Sequence, residues 1–113
     1  PTLERAGVTA RIIHGDAFLP ERTDLPKTKH GGGYDVILAD IWQHVSADDY
    51  PQHIAMRRAW RAWRRPDSEH VTWQEERVKY EWHSSNAAWY YGDRTGSQIA
   101  TAILAERRRG EHD

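Results

Sequence analysis

The stretch Tyr34-Asp35-Val36-Ile37-Leu38-Ala39-Asp40-Ile41-Trp42 constrains the fold more than any other part of the chain. Val36 to Ala39 are apolar without a break, and β-branched Val36 and Ile37 favour a strand over a helix. A run with no polar alternation suits a strand covered on both faces, as in a parallel sheet layered between helices. Asp40 then puts a carboxylate at the C-terminal end of that strand, where open α/β sheets gather their ligands. Residues 8–14 lead into Gly15-Asp16-Ala17-Phe18 with the same shape. The expectation is an α/β sheet in which residues 8–14 and 34–39 are adjacent parallel strands. Their connection is long enough to cross over.

A length of 113 residues fits one domain with a modest core. Apolar residues make up 38% and charged residues 29%, so the composition is globular rather than disordered. A formal net charge of −1 provides no global field to recruit nucleic acid or an anionic membrane. The absence of cysteine excludes disulfides and thiolate metal sites and fits a reducing compartment. No apolar run approaches the roughly 20 residues of a membrane span, and no signal-peptide pattern opens the chain. A soluble, cytoplasmic protein without a membrane partner is expected. Six Trp and five Tyr lie mostly in the second half, which divides the domain into residues 1–65 and an aromatic-rich part, 66–113.

Residues 2–7 read as the last turn of a helix closed by Gly7. Residues 19–33 carry two prolines and Gly31-Gly32-Gly33 and read as a loop. His30-Gly31-Gly32-Gly33 has the form of an esterase oxyanion loop, but no Gly-x-Ser-x-Gly elbow accompanies it. Ser46, Asp48 and Asp49 suit a helix start, and Pro66 should stop that helix at about Arg65. On it Ile54, Ala55, Ala59, Ala62 and Trp63 form one half of the wheel, and Arg57, Arg58, Arg61, Arg64 and Arg65 the other. The arginines read as a solvated face or, alternatively, as a surface for phosphate or an acidic partner. Val78, Tyr80 and Trp82 alternate with charged residues and predict a strand over 77–83. Residues 84–86 turn the chain, 87–91 form an aromatic strand or helical turn, and Ser97 caps a last helix. That helix buries Ile99, Ala100, Ile103 and Leu104 and ends in Arg107 to Arg109.

The pair Gly15-Asp16-Ala17-Phe18 and Tyr34-Asp35-Val36-Ile37-Leu38-Ala39-Asp40 resembles the middle of a class I S-adenosylmethionine-dependent methyltransferase, spermidine-synthase-like members included. The resemblance covers about residues 3–65 and implies a partial Rossmann-like sheet with flanking helices. It implies that Asp16 accepts a hydrogen bond from the adenine amino group of S-adenosylmethionine, with Ala17 and Phe18 walling the ring. It also implies that Asp40, Ile41 and Trp42 line the sulfonium and acceptor side, with Asp40 as the catalytic candidate; in aminopropyl-transferring relatives that acid holds and deprotonates an amine. The family's Gly-rich loop, which cradles the donor's amino-acid part, and its ribose-binding acid are not in this sequence. The resemblance therefore describes a truncated domain that binds the donor weakly or not at all.

Two other readings come from the residues themselves. His14, Asp16, Asp40, His44 and His53 could gather at one sheet edge, but no metal-ligand signature occurs, and no metal is expected. Trp60, Trp63, Trp89, Tyr90 and Tyr91 exceed what a small core needs and suit an interface, with a homodimer the simplest partner. Aromatic rings beside arginine also suit single-stranded nucleic acid, against which the near-zero net charge argues.

Overall fold

The computed structural model describes residues 12–23, 33–42, 44–85, 91–92 and 94–110. Among these, two parallel strands and three α-helices form a small mixed α/β arrangement. Strand β1 is Tyr34–Ala39, helix α1 Tyr50–Ala59, strand β2 Arg64–Thr72, helix α2 Glu75–Ser84 and helix α3 Gly96–Gly110.

β1 forms where the apolar run predicts it. Its partner is β2, with Ile37 opposite His70, Leu38 opposite Val71 and Ala39 opposite Thr72. The register slips between Tyr34 and Val36, so β2 bulges around Pro66, a residue that cannot donate to the ladder. Arg65 bonds Asp35 at 2.7 Å across the bulge. The N-terminal end is fixed by Gly33, whose φ is +91° and whose Cβ, if present, would lie 2.5 Å from the Arg64 carbonyl carbon.

One face of this sheet carries the core. His70 and Thr72 on β2 and Ala39 on β1 are buried, and Phe18, Trp42, Ala55, Met56, Ala100 and Leu104 complete the main cluster around Ala39. The opposite face carries Val36 at 62%, Leu38 at 67% and Val71 at 46% exposure. The expectation that β1 is covered on both faces is therefore corrected: its apolar run has one side against the core and the other in solvent.

Ser46 accepts a hydrogen bond from the Asp48 amide and opens a 3-10 turn, Ala47–Asp49, that leads into α1. Helix α1 ends at Ala59 rather than near Arg65. Trp60 turns away to bond the Ala17 carbonyl at 2.8 Å, and Arg64 must be extended to meet Tyr34. The strand expected over 77–83 is helical. In α2, Val78 and Trp82 are four residues apart and share the buried face, while Tyr80 points to solvent. Helix α3 forms and buries Ile99, Ala100 and Leu104 as expected, but Ile103 is only partly buried and Ser97, the expected cap, lies inside the helix. Thr95 and Gln98 close its start reciprocally, each side chain bonding the other's amide.

Of the expected first strand, residues 8–11 lie outside the described residues, and Ile12 to His14 are not in a strand, Ile12 being almost fully exposed. Residues 2–7, the span 24–32 of the loop and residues 86–90 also lie outside them. Among the described residues no helix is long and apolar enough to cross a membrane.

Candidate functional site

Gly15-Asp16-Ala17-Phe18 forms a tight turn because Asp16 caps it: Oδ1 accepts from the Phe18 amide at 2.9 Å, and the Asp16 carbonyl accepts from Leu19 at 2.9 Å. The turn continues into the 3-10 segment Pro20–Arg22, and Phe18, Leu19 and Pro20 are buried. Phe18 enters the core cluster that holds Ala39 and Trp42. Packing thus sets the first acidic turn against the C-terminal end of β1.

Beside this turn lies a cleft of about 180 Å³, lined by Ile13, Gly15, Asp16, Ala17, Pro20, Thr23 and Trp60. Its lining is mostly apolar and includes Asp16. Ligand pockets for whole drug-sized molecules begin near 300 Å³, so this cleft matches one ring system and not a complete nucleoside conjugate.

Two contacts that sequence reasoning missed hold the Asp16 turn. Trp60 forms a wall and is held by its bond to Ala17. Arg107, from the last turn of α3, donates from Nη1 to Asp16 Oδ2 at 2.9 Å and places its Cζ 4.2 Å from the centre of the Phe18 ring. The sequence holds no signal for either contact, since the partners are 43 and 91 residues apart.

At the end of β1 the three candidate residues separate. Asp40 is exposed and Ile41 is half exposed, so both stand in solvent at the strand terminus. Trp42 is buried, donates to Gln52 Oε1 at 2.9 Å and stacks on His53 with ring centres 3.8 Å apart. It is a core residue rather than a wall of the cleft.

Below the sheet, His53 is fully buried, its Nδ1 2.7 Å from Thr72 Oγ1. The Nε2 atoms of His53 and His70 have no partner. Burial pushes both imidazoles down: for His53 Arg57 adds to this and Glu75 opposes it, and His70 falls to about 4 with Arg57 and Arg64 reinforcing the effect. Both are neutral at physiological pH, so the site contains no imidazolium. Among the described residues no three acidic or imidazole side chains converge as metal ligands.

The arginine face of α1 is engaged within the protein. Arg57 forms a bidentate pair with Glu75 of α2, and Arg58 bonds Ser97 and Thr101 of α3. Burial raises Glu75, but the hydrogen bond and charge of Arg57, helped by His53 and Thr72, together outweigh it and leave the carboxyl below its ordinary range. Of the expected interface aromatics, Trp60 and Trp63 meet edge to face, Tyr91 packs on Trp82, and Trp89 and Tyr90 lie outside the described residues. No protein-family model, curated protein or solved structure matches the chain.

Proposed function

We propose that this chain is an S-adenosylmethionine-dependent methyltransferase-like domain that holds the adenine ring of an adenosyl ligand in the cleft beside Ala17. One observation carries the reading: Asp16 lines a mostly apolar cleft sized for one ring system, and the turn that holds it packs through Phe18 on the end of β1. A carboxylate there takes the adenine amino protons, and the apolar lining takes the ring face. The exposed Asp40 at the strand end is where an acceptor amine or hydroxyl would be held by its proton. With only the adenine end anchored, affinity is about millimolar, near 4 kcal/mol.

The test is a proton–nitrogen NMR titration with adenosine, S-adenosylmethionine and N6,N6-dimethyladenosine. Adenosine and S-adenosylmethionine should shift Gly15, Asp16, Ala17, Phe18 and the Trp60 indole. The dimethyl compound, which has no amino protons to donate, should shift none of them. Equal shifts from all three would remove Asp16 recognition and the reading with it.

A second reading, an interaction module that pairs with its own copy, is favoured by the solvent face of the sheet. Val36, Leu38 and Val71 form an apolar surface there, and parallel sheets are ordinarily covered on both faces. Sedimentation over micromolar concentrations tests it, with a monomer throughout as the opposing result.

A further inference from the structure

Resting on the adenine reading and deepening it, we propose that Arg107 gates the cleft. In the free protein its guanidinium holds the Asp16 carboxylate, and a ligand enters by replacing it. Asp16 has one carboxylate oxygen on the Phe18 amide and the other on Arg107 Nη1. The Phe18 ring is only 2% exposed, and the guanidinium lies over it. While Arg107 stays, a purine must compete with it for the second oxygen.

The core that covers the rest of the Phe18 ring, with Ala39, Trp42 and Met56, is close-packed and cannot yield. Arg107 can. Its side chain is 41% exposed, on the last turn of a helix, where order is weakest. The exchange is chemically matched, because a guanidinium and an aminopurine are both planar and both offer N–H donors along an edge. One planar donor leaves the Asp16 carboxylate, and another arrives. The turn that carries Arg107 is steadied by Arg22, which donates to the Arg108 carbonyl at 3.2 Å, so the side chain can swing while its backbone stays in place.

A gate of this kind has an unusual salt signature. Adenosine is neutral, and its own affinity has no reason to depend on ionic strength. Its competitor is an ion pair in part exposed to solvent, which salt screens. Adenosine binding should therefore strengthen between about 0.01 and 1 M salt, as the screening length falls from about 30 to about 3 Å.

The experiment is an adenosine titration of the full chain at both salt concentrations, followed by NMR, on the native protein, Arg107→Gln and Arg107→Lys. Arg107→Gln should tighten adenosine about three- to tenfold and abolish the salt dependence. Arg107→Lys, which keeps the charge, should retain it. In the native protein the Arg107 guanidinium resonances, displaced by the Phe18 ring, should move towards solvent-exposed values as adenosine binds. Adenosine shifts at residues 15–18 with static Arg107 resonances and no salt effect would overturn the gate and leave the adenine reading standing. No adenosine shift in any of the three proteins would overturn both. The salt series on the native protein decides the matter even if Arg107→Gln does not fold.

Discussion

The imidazole of His53 lies flat on the indole of Trp42, with ring centres 3.8 Å apart and planes 11° from parallel. This contact joins α1 to the residue just past β1, and Thr72 on β2 fixes the other side of the imidazole. The stack therefore holds helix and sheet together around a group that must remain neutral.

Acid should loosen that junction. His53 and His70 titrate near 6.5 in the unfolded chain and lower in the folded protein, so the unfolded state takes up protons first. The stability they confer is complete above pH 6.5 and declines as pH falls from 6.5 towards 4. For His70 alone the loss is at most about 3 kcal/mol. Urea unfolding between pH 7.5 and 4.5 measures it, and His70→Gln should flatten the profile. An unchanged midpoint across that range would exclude the mechanism.

Gly33 should tolerate no side chain. An alanine there needs a positive φ and brings its Cβ within 2.5 Å of the Arg64 backbone, so Gly33→Ala is expected to cost more than about 2 kcal/mol. Gly92 also has positive φ, but a Cβ there meets open space, and Gly92→Ala should cost only about 1 kcal/mol. Thermal melts of the two variants make the comparison.

Breaking the clasp between α1 and α2 is expected to destabilise moderately. Glu75→Gln leaves Arg57, 39% exposed, with a neutral partner, and about 1–2 kcal/mol should be lost. The double variant with Arg57→Met should recover part of this, measured as a coupling in a double-mutant cycle.

The bare face of the sheet predicts a separation of solubility from stability. Leu38→Lys and Val71→Lys should each change the unfolding free energy by less than about 0.5 kcal/mol, because the side chains already face water. Both should suppress concentration-dependent light scattering. A large loss of stability would show that this face is covered in solution.

β1 was legible because four consecutive apolar residues leave a strand as the natural outcome. α3 was legible through its apolar period, although the cap falls at Thr95 and not at Ser97. β2 was not: Arg64–Thr72 is polar apart from Pro66 and Val71, and only the register with β1 shows that His70 and Thr72 face inward. Residues 77–83 misled because Val78 and Trp82 satisfy both the two-residue and the four-residue period, and Tyr80 decided for the wrong one. In the cleft, Asp16, Ala17 and Phe18 could be picked out as a motif. Arg107 could not, since only the completed fold brings the C-terminal helix back to that turn.

The ion pair between Asp16 and Arg107 bridges 91 residues of chain. Closing so long a loop carries a large entropic cost, and the contact gains little until β1, α1, β2 and α3 already stand between its ends. The ion pair should then open before the rest of the fold, through fluctuations that leave the strand pair and the core around Phe18 intact.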